Sequence, residues 1–215
     1  MLVIFDCDGV LVDSEPLANE SFSAALRPYG LDWTVEETMR RLMGRSLKSA
    51  VEIIEELLGR KLPPDFLEKM QARTYQSFRD APLQPVKDVR DAVLALQAAG
   101  VQTCVASSGV PDKMRFTLGL TGLWDLFGGY IFSSSAVPRG KPFPDLFLHA
   151  ALSMNVQPYD CVVVEDSVPG VQAARAAGMK VFAYAGAPYA DREGLAKAGG
   201  ILFDDMKRLP ELVLP

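Results

Sequence analysis

Short apolar runs alternate with amphipathic segments along much of the chain. One order occurs three times: the end of a helical segment, then a glycine, then an apolar run, at 96–107, 174–184 and 195–203. A glycine after the last helical turn adopts the left-handed conformation that closes a helix. The short apolar run that follows it predicts a buried strand. Repetition of this order predicts an α/β fold with parallel strands.

Five apolar runs fit one central parallel sheet. Their nearly continuous apolar character is typical of strands that are covered on both faces. Helical segments near 110–120, 143–154 and 168–177 lie between the last four of them. The predicted strands are Leu2–Asp6, Thr103–Ser107, Tyr130–Ser133, Cys161–Glu165 and Lys180–Tyr184.

The stretch after the first run has a different pattern and shows no good strand. Its periodicity predicts four amphipathic helices near 16–29, 34–43, 46–59 and 63–79. We therefore expect a helical cap domain at 15–81, inserted into a core domain formed by 1–14 and 82–215. The joints are expected near 14–16 and 81–85, and Pro82 and Pro85 fit a stiff linker at the second. An insertion at this point stands over the carboxyl ends of the strands, where open α/β sheets bind ligands.

The strongest chemical signal is a pair of carboxylates at the end of the first run. Asp6 and Asp8 are two residues apart and are followed by Gly9, which permits a tight backbone path. Two carboxylates at one site repel each other unless a cation or a proton intervenes. The pair therefore indicates a hard divalent cation with oxygen ligands.

Three further segments carry polar groups at predicted strand ends or in a constrained loop. Glu165 and Asp166 form a second acidic pair, which taken alone is equally suited to capping a helix. Ser107 and Ser108 end a third run, where hydroxyl and backbone N–H groups suit phosphate oxygens. Lys141 lies between a glycine and a proline and suits a phosphoryl group as a point charge.

The order of these four segments resembles that of the haloacid dehalogenase (HAD) superfamily, in its phosphatase branch. The stretches FDCDGVLVDSE, GKPFPD and VEDSVPGVQAARAAGM look like the β-phosphoglucomutase-like subgroup, which includes sugar-phosphate and 6-phosphogluconate phosphatases. The resemblance covers essentially the whole chain. It implies a Rossmann-like parallel-sheet core with an inserted four-helix cap, and a Mg²⁺-dependent enzyme acting on a small phosphorylated metabolite.

The resemblance also implies a role for each motif residue. Asp6 is expected to be the nucleophile, and Asp8 the general acid and then the general base. Ser107, with Ser108 beside it, and Lys141 are expected to bind phosphoryl oxygens. The implied metal ligands are Asp6, the backbone carbonyl of Asp8 and Asp166, with Glu165 binding either directly or through water.

Two positions help to choose among the members of the family. Dehalogenases and phosphonoacetaldehyde hydrolases lack the second acid, so Asp8 favours phosphate esters. The mutases carry a histidine where this chain has Ala18, and the single histidine, His149, lies in a predicted core helix and is expected to be structural. A phosphatase is therefore favoured over a phosphosugar mutase. A binding module that keeps the fold without activity is the remaining alternative.

Substrate choice is expected to lie in the cap. The family's specificity loop corresponds to Gly44, Arg45 and Ser46, and Arg45 is a candidate for contacting a second anion such as a sugar-acid carboxylate. An exposed arginine at a helix end is the alternative interpretation.

Composition limits the partners. The net charge of −5 disfavours nucleic-acid binding, which needs a basic face. No apolar run approaches the roughly 20 residues that span a bilayer, and the acid at position 6 argues against a signal peptide. The three cysteines fit neither a zinc site nor a disulfide framework. We expect a cytoplasmic protein that acts as a monomer, without nucleic-acid or membrane partners.

Overall fold

One parallel sheet organises the molecule. The computed structural model describes residues 1–42, 47–81 and 83–214. Within these residues six strands pair in the order β3-β2-β1-β4-β5-β6, all parallel. The predicted α/β class with a parallel sheet is confirmed. The strands are β1 Leu2–Phe5, β2 Gln102–Ser107, β3 Ile131–Ser133, β4 Cys161–Glu165, β5 Lys180–Tyr184 and β6 Ile201–Phe203.

The sixth strand was not among the five predicted ones. It is the run that ends the third copy of the sequence repeat. β6 has three residues and lies at the sheet edge, where Ile201 pairs with Phe182 and is 45% exposed. The repeat already marked this run as a strand, although it was not assigned to the central sheet; β6 is as short as β3, the strand at the other edge.

Helices cover both faces of the sheet, and four of them follow β1. The predicted helices at 16–29, 34–43, 46–59 and 63–79 correspond to α1–α4, and a short 3₁₀ turn, Arg27–Tyr29, follows α1. No helix among the described segments is both long and apolar enough to cross a membrane. The helices are α1 Glu15–Leu26, α2 Val35–Leu42, α3 Leu47–Leu58, α4 Phe66–Asp80, α5 Val89–Ala98, α6 Pro111–Leu120, α7 Asp145–Ser153, α8 Val168–Ala176, α9 Arg192–Lys197 and α10 Leu209–Val213.

Alternation along the central strand divides the core into two layers. Successive side chains of a strand point to opposite faces of the sheet. Val3 and Phe5 accordingly join a cluster with α5 and α6, whereas Leu2 and Ile4 pack with α7 and α8. A third cluster lies entirely within residues 22–70, in α1–α4 and their connections. This separate cluster supports the predicted cap, although the domain boundaries stay a prediction.

Candidate active site

The three central strands run in parallel register toward the same edge of the sheet. Phe5 of β1 is in register with Val105 of β2 and with Val164 of β4. The residues that follow these positions therefore emerge at the same edge of the sheet. A cavity of about 520 Å³ lies there, between the sheet edge and α1–α4.

Both acidic pairs lie at this edge. One carboxylate oxygen each from Asp6, Glu165 and Asp166 lie within 4.8 Å of one another, and all three residues are buried. The backbone N–H of Asp6 donates to the carbonyl of Val164 at 2.9 Å, which fixes the end of β1 against β4. Asp6 and Asp166 line the cavity.

Lys141 links the two pairs. Its Nζ lies 2.8 Å from Asp6 Oδ1 and 2.5 Å from Glu165 Oε1, and its side chain is 1% exposed. Burial alone would lower the pKa of this lysine, but the two carboxylates raise it above its ordinary value. The ammonium group is therefore held charged beside Asp6.

Glu165 is fully buried and makes bonds with both oxygens. Oε1 accepts from Lys141, whereas Oε2 accepts from the backbone N–H groups of Asp166 and Ser167 at 2.9 and 2.8 Å and from the Ser167 hydroxyl at 2.8 Å. A side chain at Gly170 would collide with the Glu165 carboxylate, so glycine there makes room for it. These contacts show Glu165 positioning Lys141 and the loop after β4.

Asp8 has a different pair of partners. Its Oδ1 accepts from the Ser14 hydroxyl at 2.5 Å, and its Oδ2 accepts from Lys113 Nζ at 2.7 Å. Burial would raise the pKa of Asp8, but the Lys113 charge and the bonds from Lys113 and Ser14 leave it below its ordinary value. The described arrangement therefore favours the ionised form of this carboxylate.

The electrostatics of the site fit a divalent cation. Burial, reinforced by Glu165, raises the pKa of Asp6 to about 7, although Lys141 opposes the shift. Burial and the neighbouring carboxylates also raise the pKa of Asp166 well above its ordinary value. The two pairs bring four carboxylates to this edge, and two lysine ammonium groups contact them. A cation with two charges would balance the remainder, and carboxylate oxygens are the ligands that hard cations prefer.

Gly9 follows the first acidic pair and leaves room for Asp166 of the second acidic pair. Gly9 has φ +76°, in the left-handed region. A side chain at Gly9 would collide with the Asp166 carboxylate. Glycine at this position therefore lets the loop after β1 approach the acid that follows β4.

The predicted phosphate-binding hydroxyls line the same cavity. Ser107 and Ser108 both face it, and Ser107 Oγ accepts from the backbone N–H of Gly109 at 3.2 Å. Lys141 lines it too. The predicted phosphate-binding and acidic residues of the core therefore line one cavity, with one exception. Glu165 does not line it but contacts Lys141 from behind.

Sequence reasoning missed three charged groups of the cavity, which are Lys113, Glu15 and Lys48 of α3. Lys113 is in the first turn of α6, where the helix dipole disfavours a cation. That unfavourable placement was a signal that it serves a site. Glu15 begins α1, where an acid is ordinary, so no comparable signal marked it. Burial and the Asp8 charge raise the pKa of Glu15 to about 7.

The remaining sequence predictions concern Ala18, His149 and the cap loop. Ala18 lines the cavity, at the position where the mutases carry histidine. His149 lies in α7 with its ring edge-on to Phe132, 5.5 Å between centroids, in keeping with a structural role. Gly44, Arg45 and Ser46 lie outside the described residues.

Comparison with known proteins agrees with this geometry. Residues 1–178 match the family of haloacid dehalogenase-like hydrolases. The chain is 31% identical over 210 residues to 6-phosphogluconate phosphatase of Escherichia coli, covering 98% of this chain and 93% of that protein. It is 33% identical over 181 residues to a phosphorylated carbohydrates phosphatase of Thermotoga maritima, covering 83% and 82%.

A solved structure shows the same fold. The conserved haloacid dehalogenase-like protein of Agrobacterium tumefaciens superposes with a TM-score of 0.83 at 33% identity, covering 99% of this chain and 96% of that one. The chain therefore belongs to the haloacid dehalogenase-like hydrolases, and it is an enzyme of the phosphatase type within them.

Proposed function

We propose that this enzyme hydrolyses a small phosphorylated metabolite, a sugar phosphate or a phosphorylated sugar acid, with Mg²⁺ and through a phosphoryl-aspartate at Asp6. The observation that carries the proposal is the Asp6 carboxylate at the cavity wall, held 2.8 Å from Lys141 with Asp8 two residues further on. A buried carboxylate beside a fixed cation is placed to receive a phosphoryl group.

The first half of the reaction transfers the phosphoryl group to the enzyme. An oxygen of Asp6 attacks phosphorus, the bond to the leaving oxygen breaks, and Asp8 gives that oxygen a proton. Asp8 must hold this proton beforehand, and a carboxyl group protonated on one oxygen can still accept from Lys113 on the other. A carboxylate nucleophile divides one difficult displacement into two.

The second half restores the enzyme. Asp8, now a carboxylate, takes a proton from a water molecule that attacks the phosphorus of the phosphoryl-aspartate. The bond to Asp6 breaks and phosphate leaves. The ionised form that Lys113 and Ser14 favour is the one required for this step.

The phosphoryl oxygens need positive and hydrogen-bonding partners in both halves. Lys141 supplies the charge, and Ser107 and Ser108 supply hydroxyl groups. Phosphoryl transfer depends mainly on alignment and on neutralising these oxygens. Glu165 acts indirectly, since it holds Lys141 at 2.5 Å.

Asp6, Asp166 and the backbone carbonyl of Asp8 would hold the Mg²⁺. When bound, the cation lowers the repulsion between an anionic nucleophile and an anionic substrate. Glu165 remains a candidate for contact through water, because both of its oxygens already accept hydrogen bonds from protein groups.

The substrate preference for phosphorylated sugars is supported by the two phosphatases reported above. Contact between Arg45 and a sugar-acid carboxylate stays a prediction. A phosphosugar mutase is the alternative activity, and Ala18 disfavours it because no imidazole is present at that position. A fold retained only for binding is disfavoured by the charged groups that surround Asp6 and Asp8.

The test is phosphate release from a panel of sugar phosphates and phosphorylated sugar acids, with Mg²⁺ and with a chelator. We expect release that needs Mg²⁺ and falls by at least about 10⁴-fold in Asp6→Asn, which removes the nucleophile. Asp160→Asn is the matched control. Asp160 is exposed and lies before β4, at the amino ends of the strands and away from the cavity. It should retain full activity.

Two results would overturn the proposal. Asp6→Asn with activity close to that of the unchanged enzyme would exclude the phosphoryl-aspartate. A folded, Mg²⁺-loaded enzyme that releases no phosphate from any ester would exclude hydrolysis. Interconversion of sugar phosphates without net release would then identify the mutase, and no turnover at all would favour the binding module.

A further inference from the structure

Two polar side chains of α1 reach the cavity close to the proposed general acid. Glu15 and Asn19 lie one helical turn apart, and both line the cavity. Ser14, which precedes Glu15, donates to the Asp8 carboxylate, so the first turn of α1 is held beside that group. The part of the cavity near Glu15 is therefore the part that receives the carbon atoms next to the leaving oxygen of a substrate.

The hydrogen bonds of Asn19 fix the direction of its amide. Its Nδ2 donates to the Glu15 backbone carbonyl and to Glu15 Oε2, both at 2.8 Å. A backbone carbonyl can only accept, so the NH₂ group of the amide must face it and the carboxylate. Both hydrogens of that group are then used, and Asn19 Oδ1 is left as an acceptor.

Each of the two side chains keeps one oxygen available to a ligand. Within residues 1–42, 47–81 and 83–214, Glu15 Oε1 and Asn19 Oδ1 make no hydrogen bond, yet no fully buried side-chain oxygen or nitrogen lacks a partner. Both oxygens are therefore accessible from the cavity that the two residues line. Asn19 as a whole is only 6% exposed, so its free acceptor is costly unless a donor reaches it.

The charges around these oxygens favour a neutral donor. Lys113 lies 2.7 Å from Asp8 and lines the same cavity, so an ammonium group on the substrate would meet a like charge. A carboxylate at the same place would meet Asp8 and Glu15. A hydroxyl group avoids both repulsions and donates a strong hydrogen bond to a carboxylate oxygen. Gln71 of α4 lines the cavity as well, and its amide can bind further hydroxyl groups.

We propose that Glu15 and Asn19 determine specificity by binding hydroxyl groups of an open-chain leaving group. Glu15 Oε1 accepts from the hydroxyl on the carbon next to the phosphorylated carbon, and Asn19 Oδ1 accepts from a hydroxyl on the following carbon. This inference rests on the proposed phosphatase activity and names the part of the substrate that the site recognises. An open-chain sugar phosphate or phosphorylated sugar acid carries both hydroxyl groups when its phosphate is on a terminal carbon.

The test compares three phosphate esters with the same three-carbon chain. Glycerol 3-phosphate carries both hydroxyl groups, 3-hydroxypropyl phosphate lacks the one next to the phosphorylated carbon, and 1,2-propanediol 1-phosphate lacks the following one. Relative to glycerol 3-phosphate, we expect kcat/KM to fall by about tenfold without the first hydroxyl and several-fold without the second. The first effect is larger because a hydrogen bond to a charged group is stronger than one to a neutral amide.

The apolar side chains that also line the cavity act in the opposite direction. They favour the esters with fewer hydroxyl groups, so a preference for glycerol 3-phosphate reports polar contacts. An ester that reacts too slowly is measured as a competitive inhibitor of p-nitrophenyl phosphate hydrolysis. The inhibition constants should then follow the same order.

A variant of each residue assigns the two hydroxyl groups. Glu15→Met removes the acceptor at similar side-chain length and should reduce the ratio of kcat/KM between glycerol 3-phosphate and 3-hydroxypropyl phosphate several-fold. Asn19→Leu should reduce the ratio between glycerol 3-phosphate and 1,2-propanediol 1-phosphate. Glu20→Met is the matched control, because Glu20 is exposed on the same helix and does not line the cavity. It should leave both ratios unchanged.

The outcomes separate this inference from the proposed function. Hydrolysis of 3-hydroxypropyl phosphate as efficient as that of glycerol 3-phosphate overturns the inference and leaves the phosphatase in place. An equal fall of the ratio in Glu15→Met and Glu20→Met overturns the assignment to Glu15. Release of phosphate from none of the esters, p-nitrophenyl phosphate included, contradicts the phosphatase itself. If Glu15→Met fails to fold, the three esters with the unchanged enzyme still decide whether the hydroxyl groups are recognised.

Discussion

The two acidic pairs look alike in the sequence but differ in the structure. Each follows an apolar strand and comes before a glycine. Asp6 and Asp8 both line the cavity and each contacts its own lysine. Glu165 is fully buried behind Lys141, whereas Asp166 reaches the cavity. The first pair offers two reactive groups to the substrate, and the second offers one.

The two pairs differ in their position relative to the strand. Glu165 is the last residue of β4, whereas Asp6, Asp8 and Asp166 follow their strands. Glu165 is therefore held in the sheet, while Asp166 reaches the cavity. An acid at a strand end therefore indicates a site only together with its position and its partners. Three substitutions test whether Asp8, Asp166 and Glu165 have these different roles.

Among these three substitutions, the largest effect is expected at Asp8, the second member of the first pair. Asp8→Asn removes the group that donates and accepts the proton, and we expect kcat to fall by about 10²–10⁴-fold. The Mg²⁺ concentration that gives half-maximal activity should stay the same, because the proposed ligand at this position is the backbone carbonyl. Steady-state kinetics over a Mg²⁺ titration measure both quantities. A shift of the Mg²⁺ requirement as large as that of Asp166→Asn would contradict the assignment.

An aspartate-to-asparagine substitution in the second pair should weaken Mg²⁺ binding instead. Asp166→Asn removes a proposed ligand, so the Mg²⁺ concentration for half-maximal activity should rise by about 10–100-fold. Saturating Mg²⁺ should restore part of kcat, which it cannot do for Asp8→Asn. Direct Mg²⁺ binding measured by calorimetry provides a readout besides activity. Unchanged Mg²⁺ affinity would remove Asp166 from the ligand set.

The smallest effect on activity is expected at Glu165, the buried member of the second pair. Its substitution should change the stability of the protein instead. Glu165→Gln places an amide donor or a weaker acceptor against Lys141, and the free energy of unfolding should fall by about 1–3 kcal/mol. Glu193→Gln is the matched control, because Glu193 also contacts a lysine, Lys197, but both side chains are more than 70% exposed. Exposed pairs contribute about 0–1 kcal/mol. Urea unfolding compares the two variants, and equal losses would show that burial of Glu165 is unimportant.

Much of the core could be predicted because its signals are local. Four of the five predicted strands agree with β2 to β5 within a residue at either end, and Leu2–Asp6 extends one residue beyond β1. Thr34 and Glu37 have the spacing of a capping box, and the Thr34 hydroxyl accepts from the Glu37 backbone N–H at 3.1 Å. The Glu37 side chain contacts Arg41 instead of completing the box.

The groups that were missed depend on distant neighbours. Lys113 is 105 residues from Asp8 in the chain, and only the packing of α6 against β1 brings them to 2.7 Å. Glu15 appeared to be an ordinary first-turn acid, and its place in the cavity follows from the direction in which α1 leaves the sheet.

The sequence by itself determined the parallel α/β core, the helical insertion after β1 and the residue types available for chemistry at the strand ends. These follow from periodicity, from glycine at helix ends and from motif spacing, all of which act over a few residues. Only the tertiary structure decided which carboxylate meets which lysine, that Glu165 is withdrawn behind Lys141, and that one cavity joins the sheet edge to α1–α4. Those features depend on the strand order and on how helices far apart in the chain pack together, which local patterns do not encode.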